Sequence, residues 1–261
     1  TNTHAFIMKD VAASGKHIFC EKPLALELEK IDDALEAVEK AGVKLQVGFN
    51  RRFDKSFLRV RAIVASGEIG RPCILRITNR DPDFPDMEFL RISGGIFLDL
   101  AIHDFDMVRF QVGEVEEIYA TGSVLIEPKL KEFGDIDTDV ITLKFVNGAV
   151  GAIDNSRKAV YGYDQRLEVF CSNGTALANN EAETVAVKGN TDGFLSAKPP
   201  YFFMQRYAPC YVEEVRQFVE CVRDDRPTPT TGADGRAAVV LGYAAWKSLR
   251  ENRPVKISEI G

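Results

Sequence analysis

Lys22, Asp99 and His103 are residue types that together could take a proton from a substrate hydroxyl. Lys22 lies in Glu21-Lys22-Pro23, directly after the apolar run His17-Ile18-Phe19-Cys20. The end of a parallel strand is where open α/β sheets bind ligands, and an ammonium there can polarise an alcohol oxygen. Asp99 and His103 lie in Gly94-Gly95-Ile96-Phe97-Leu98-Asp99-Leu100-Ala101-Ile102-His103-Asp104, which reads as a glycine-marked start to an apolar helix. Four residues apart, the two polar side chains are neighbours on one helical face. An imidazole near its ordinary pKa accepts a proton at neutral pH, and a nearby carboxylate can orient it or stabilise its charged form. Taken alone, Asp-x-x-x-His is more often a structural helix pair and Glu-Lys-Pro more often a surface turn. No third ligand is signalled, which argues against a metal. Pro23 restrains the backbone just past Lys22, and the bond before it is open to either isomer.

The elements that must carry these residues fall into two parts. A helix over 3–14, a strand over 17–20, an amphipathic helix over 26–40 and a strand over 44–48 alternate with short connections. That order implies a parallel sheet, so residues 1–50 read as the C-terminal part of a Rossmann dinucleotide-binding domain. Two parallel strands are too few to stand alone, and no Gly-x-Gly-x-x-Gly turn precedes Lys22, so the chain reads as entered in mid-domain. After a helix near 54–65, residues 51–261 change character and read as a substrate-binding and oligomerisation domain. Strands are predicted over 72–79, 115–125, 138–145, 149–155, 166–171 and 184–187, with hairpin turns at Asn147-Gly148 and Asn173-Gly174. Helices over 205–223 and 233–250 close the chain around the breaker-rich Asp225-Arg226-Pro227-Thr228-Pro229. The fold class is therefore α/β plus α+β: a Rossmann remnant, then a large antiparallel sheet with helices on one face. Val140, Thr142 and Lys144 alternate with Ile141, Leu143 and Phe145, which predicts two different environments. A partly apolar second face is remedied by association, so a homo-oligomer, a dimer or tetramer through the antiparallel sheet, is expected.

Composition narrows the function classes. The 261 residues are 45% hydrophobic and 28% charged, as in an ordinary globular protein, and the net charge of -6 lacks the footprint of a nucleic-acid binder. No apolar stretch is long enough for a membrane span and no signal-peptide pattern opens the chain, which makes the cytoplasm the expected location. Cys20, Cys73, Cys171, Cys210 and Cys221 are scattered, forming neither a disulfide framework nor a zinc pair, and are expected to serve packing.

Together with Gly48-Phe49-Asn50-Arg51-Arg52-Phe53, these segments resemble the Gfo/Idh/MocA oxidoreductase family, specifically its inositol 2-dehydrogenase branch. Thr1-Asn2-Thr3-His4, His17 to Pro23, Gly48 to Asp54, Gly94 to Asp106 and Asp154 to Arg166 all carry the likeness, which runs over nearly the whole chain. Lys22 matches the lysine of the family's E-K-P motif, and Asp99 and His103 match its catalytic aspartate and histidine. The resemblance implies oxidation of a cyclic polyol, myo-inositol to a 2-keto inositol above all, with hydride passing to NAD. NADP stays open, because the residue that reads the ribose belongs upstream. In this reading His103 is the general base, Asp99 its orienting and substrate-binding partner, and Lys22 the hydroxyl-polarising cation. Arg51, Asn155, Tyr161 and Tyr163 are the candidates for a polyol pocket, which needs many donors and acceptors. Thr1, Asn2, His4, Glu21 and Lys22 are the candidates for the nicotinamide side. With no glycine-rich turn, residues 1–261 by themselves are expected to bind the dinucleotide weakly. The alternatives are another sugar or polyol dehydrogenase of the family, or a non-catalytic oligomerising fragment.

Overall fold

The structure is a computed structural model and describes residues 1–260. Helix α1 (His4–Ala13), strand β1 (Ile18–Glu21), helix α2 (Leu28–Ala41) and strand β2 (Leu45–Gly48) open the chain. β1 and β2 pair in parallel, with Ile18 opposite Leu45 and Glu21 opposite Gly48. α2 buries Ile31, Ala34 and Val38, one side of its amphipathic pattern, and stops at Gly42. The breaker-rich segment after residue 224 is tied to this small sheet: Val47 N–H donates to the Thr230 carbonyl at 3.0 Å, and Thr230 Oγ1 donates back to the Val47 carbonyl at 2.6 Å.

A 3-10 turn over Asn50–Phe53 leads to α3 (Lys55–Ser66), capped by Asp54, whose carboxylate accepts from the Ser56 and Phe57 N–H groups. Then follow β3 (Pro72–Arg80), α4 (Met87–Ile92), α5 (Ile96–Asp99), α6 (Ile102–Gln111), β4 (Val115–Ser123), β5 (Thr138–Phe145), β6 (Val150–Ser156), β7 (Asp164–Cys171) and β8 (Gly174–Ala178). The hairpin β9 (Val187–Asn190) and β10 (Gly193–Ser196) precedes α7 (Phe203–Arg223), α8 (Gly232–Glu251) and the short β11 (Val255–Lys256).

The large sheet has seven strands in the order β11-β4-β5-β6-β3-β7-β8. It is mostly antiparallel, as the strand pattern suggested, with one parallel pair, because β3 inserts between β6 and β7 and runs parallel to β6. Hairpin turns fix the direction of sequential neighbours only; β3 reaches its place over a long connection that carries no such signal. The strand expected over 184–187 is also displaced. β9 pairs only with β10, while the turn at Asn173-Gly174 leads into β8, the strand that fills the sheet's edge.

α3, α6 and α8 cover the inner face of the sheet, α8 over β4, α6 over β3 and α3 over β7 and β8. α7 was expected beside them but packs elsewhere, on the Asn50–Phe53 turn and the small parallel sheet. There Phe218 meets Phe19 edge-on and Gln46 Nε2 donates to the Glu214 carbonyl at 2.8 Å. Its buried residues Tyr207 and Cys210 pack with Phe53 and Tyr163, while Val212, Val215 and Val219 face outward. In β5 the alternation reads true: Ile141, Leu143 and Phe145 are buried, while Val140, Thr142 and Lys144 face outward. One continuous core runs from Val47 in β2 to Ile153 in β6. The site lies where these two sheets approach.

Candidate active site

A cavity of about 530 Å³ opens between the carboxyl ends of the parallel pair and the large sheet, and Lys22, Asn50, Arg51, Asp81, Asp99, His103 and Tyr163 line it. Aromatic side chains form the remaining wall, among them Phe84, Phe89, Tyr201, Phe202, Phe203 and Tyr207. Lys22 arrives from the end of β1, followed by a cis bond to Pro23. Gly48 closes the opposing end of β2, where a Cβ would stand 2.6 Å from the Glu21 carboxylate and oblige that side chain to move. The chain then turns at once to present Asn50 and Arg51.

Asp99 and His103 come from a doubled glycine. Gly95 has φ of +78°, and a Cβ on it would lie 2.5 Å from the Trp246 ring and 2.8 Å from Asp135 Oδ1, so only glycine fits. α5 makes a single turn, Leu100 and Ala101 interrupt it, and α6 begins afresh at Ile102. The expected single helix is thus two, and the Asp99–His103 pairing read from the four-residue spacing does not form. Lys22 Nζ donates to the Asp99 carbonyl at 2.7 Å and stands 3.6 Å from Asp99 Oδ1. The other carboxylate oxygen accepts from Arg157 Nη1 at 3.1 Å. Among the described residues no hydrogen bond joins Asp99 to His103, and the buried Nδ1 of His103 has no partner at all.

Electrostatics follow from this placement. Burial, with Lys22 and Arg51 nearby, holds the His103 imidazole well below its ordinary pKa, so the ring is neutral and free to accept a proton. Burial pushes Asp81 up to about 6, against the pull of Arg157. Tyr163 is driven well above its ordinary value by burial, so its hydroxyl keeps its proton.

Lys22, Asp99, His103, Arg51 and Tyr163 are brought together around one cavity. Arg51, however, spends its guanidinium on protein: Nη1 donates to Asp104 at 2.7 Å, and Nη2 to Asn79 at 3.2 Å and the Tyr163 hydroxyl at 3.3 Å. Asn155 and Tyr161, both expected in the pocket, are outside it. Asn155 points inward from β6 and donates to Asp139 at 3.1 Å, buried beneath the sheet. Tyr161 lies on the exposed side, donating to Asp164 at 2.6 Å and accepting from Arg80 at 3.2 Å. Strand alternation and one sharp turn separate them from Tyr163. Thr1, Asn2, His4 and Glu21 also stand outside the cavity; His4 Nδ1 donates to the Pro23 carbonyl at 2.9 Å, and Asn2 is exposed. All five cysteines are free, with Cys73 half-buried and the other four buried.

Sequence reasoning missed Asp81, Arg157 and the aromatic wall. Asp81-Pro82-Asp83-Phe84-Pro85-Asp86 directly follows a predicted strand, and that position at a strand end was the available signal. Tyr207 sits on α7, and its nearness depends on where that helix packs, which periodicity does not convey.

Residues 57–177 match the GFO/IDH/MocA C-terminal domain, and residues 1–49 match the oxidoreductase family described as an NAD-binding Rossmann fold. The chain is 49% identical over 261 residues to a myo-inositol 2-dehydrogenase of Thermotoga maritima, covering 100% of this chain and 78% of that protein. A crystal structure of a myo-inositol dehydrogenase from Corynebacterium glutamicum superposes with a TM-score of 0.93 at 37% identity, covering 97% of this chain and 77% of that one. A scyllo-inositol dehydrogenase from Lactobacillus casei, solved with NAD(H) and scyllo-inositol bound, matches at a TM-score of 0.91 and 25% identity, covering 98% of this chain and 78% of that one. With a relative this similar over most of its length, and with both family domains matched in order, the chain belongs to the Gfo/Idh/MocA oxidoreductase family.

Proposed function

We propose that this protein oxidises one hydroxyl of a cyclic polyol, myo-inositol above all, to the ketone with NAD as hydride acceptor. The observation that carries the reading is the meeting of the Lys22 ammonium, the Asp99 carboxylate and the neutral His103 imidazole on one cavity. The arrangement fits a dinucleotide's reactive end: the parallel strands β1 and β2 open at their carboxyl ends beside Lys22 and Asn50, next to a wall rich in aromatic rings. Glu21, Lys22, Thr1, Asn2 and His4 are the residues we assign to the nicotinamide side. NAD, when bound, takes the hydride from the carbon bearing the hydroxyl.

The chain's own part is proton handling and orientation. Lys22, anchored on the Asp99 carbonyl, donates to the alcohol oxygen and favours the alkoxide. His103 accepts the hydroxyl proton; since its Nδ1 is fully buried, the other ring nitrogen is the one that meets substrate. Asp99 is a substrate-binding acceptor held by Lys22 and Arg157, and the task of orienting His103 falls to packing against Phe49. Of the four polyol-pocket candidates, Tyr163 keeps a direct role and Arg51 acts by holding Tyr163 in place. Relatives that carry inositol in their names support this substrate class over other sugars.

We assign residues 1–50 to the C-terminal part of a Rossmann domain and 51–261 to the substrate-binding and oligomerisation domain. The outward face of the large sheet exposes Val140, Val150, Phe170 and Leu177, which supports a homo-oligomer packed sheet on sheet. Among the described residues no helix is long and apolar enough to cross a membrane, and we assign the protein to the cytoplasm. The test is NADH formation with myo-inositol alongside equilibrium binding of NAD. In keeping with the missing glycine-rich turn we expect weak but saturable turnover that Lys22→Met abolishes; a folded protein that neither binds NAD nor forms NADH with any cyclic polyol would overturn the reading.

A further inference from the structure

Arg157 is the largest of the fully buried side chains, at the end of β6 and behind the cavity. Its guanidinium is under-used for so costly a position. Nη1 donates to Asp99, Nη2 stands 3.6 Å from Asp135 Oδ2, and neither Nε nor Nη2 has a hydrogen-bond partner. A buried cation with unfilled donors adds little to stability, because desolvation offsets the attraction of its counter-charges. Its surroundings indicate another task. Asp135 caps the start of α5, its Oδ1 accepting from Ile96 N–H at 2.9 Å, and α5 is the turn that carries Asp99. Asp81 borders the same segment, its backbone N–H donating to the Ser156 carbonyl at 2.9 Å and its carbonyl accepting from Ala159 N–H at 2.6 Å. Charges therefore alternate in a line from behind the sheet into the cavity: Asp135, Arg157, Asp99, Lys22.

We propose that Arg157 is a positioning residue for the hydroxyl oxidation, which turns the Asp99 carboxylate toward Lys22 and away from His103. The inference rests on the polyol-dehydrogenase reading and deepens it. With Asp99 bound on both sides, no carboxylate stabilises a protonated His103, and the imidazole stays available as a base. Were Arg157 neutral, Asp99 would be freed to rotate toward the ring and Asp81 would lose its principal counter-charge. The groups facing this line are Asp99 from α5, Asp81 from the loop after β3, Asp135 from the loop before β5, Asp139 from β5, Lys22 from the end of β1 and Arg51 from the 3-10 turn. Of these, Arg157 is the cation that most favours the charged form of both Asp81 and Asp135.

The test compares Arg157→Gln, which keeps a donor without charge, with Arg157→Lys, which keeps the charge. In Arg157→Gln the acid limb of kcat/KM for polyol oxidation is expected to move up by about one pH unit, with about a tenfold loss of kcat near pH 6. Arg157→Lys is expected to keep the original limb. Nitrogen-15 NMR titration of the His103 ring reads the same effect without turnover: its midpoint should rise in Arg157→Gln, where Asp99 is freed to approach the ring, and stay in Arg157→Lys. An unchanged His103 midpoint in folded Arg157→Gln overturns the proposal, as does a full shift in Arg157→Lys, which remains decisive if the glutamine variant fails to fold. Should the unaltered protein show no turnover at all, the functional reading falls, while the titration still judges Arg157.

Discussion

Two aspartates, Asp164 buried in β7 and Asp81 half-buried at the cavity, show how differently two parts of the molecule are built. Burial raises both, but at Asp164 the donors from Arg166, Tyr161 and Asn180 overcome it and hold the carboxyl below its usual range. Arg166 Nε reaches Asp164 at 2.8 Å, the Tyr161 hydroxyl at 2.6 Å and Asn180 Nδ2 at 2.5 Å. Asp81, at the cavity, has no such set and rises to about 6. The same contrast extends to the neighbours: Arg80 and Thr78 both donate to Asp154, whereas His103 Nδ1, Arg157 Nε and Asp135 Oδ2 go without partners. A network built for stability fills its donors and acceptors internally. Around the cavity such groups are left open, although Gln111 Oε1, Asp139 Oδ2 and Asn155 Oδ1, buried elsewhere without partners, show that an unfilled group is not by itself a ligand site.

The comparison breaks first at His103. His103→Ala removes the proposed base while leaving the filled network untouched, and kcat should fall about a thousandfold with the thermal midpoint nearly unchanged. A loss below tenfold would move the base role to another group. The next effects are on stability and have opposite signs. Asp164 has a lowered folded pKa, so it contributes stability above the unfolded value that is lost as pH falls through the folded one. Asp164→Asn should therefore destabilise by about 2 kcal/mol at pH 7 and much less near pH 3. Asp81 has a raised folded pKa, so the folded state binds its proton more tightly and loses that advantage as pH rises through about 6. Asp81→Asn should then stabilise by about 1 kcal/mol at pH 8 and by nothing at pH 4, even as it weakens polyol turnover. Denaturant melts at the paired pH values decide both, and equal signs for the two variants would erase the distinction.

Much of this was legible beforehand because local chemistry encodes it. Glycine stops and three-to-four spacing placed α2 and α3, alternation placed β5, and a lysine after a strand end marked the cavity. What stayed hidden depended on long-range placement. The parallel insertion of β3, the docking of α7 on the parallel pair and the burial of Arg157 each join segments far apart in sequence, and no periodicity reports a partner at that distance. The Asp99–His103 spacing misled for a related reason. Two residues at Leu100 and Ala101 break the helix, and the aspartate finds cations from β1 and β6 instead of its sequence neighbour. Asn155 and Tyr161 are donors and acceptors suited to a polyol, but side-chain type says nothing about which side of a sheet a residue takes.

Tyr161 supplies the smallest effect and the sharpest discrimination. Its hydroxyl joins Arg80 to Asp164 on the outward side, with the ring 42% exposed, so water can replace much of what the hydroxyl provides. Tyr161→Phe should cost about 0.5 kcal/mol of stability, since exposed polar contacts contribute little, and leave kcat/KM within about twofold. Tyr163→Phe, only two positions along, removes a hydroxyl that lines the cavity and accepts from Arg51, and should raise KM for the polyol several times more than Tyr161→Phe does. If the two variants raised KM equally, the outward network would be part of the site, and the division between filled and unfilled groups would not separate structure from catalysis.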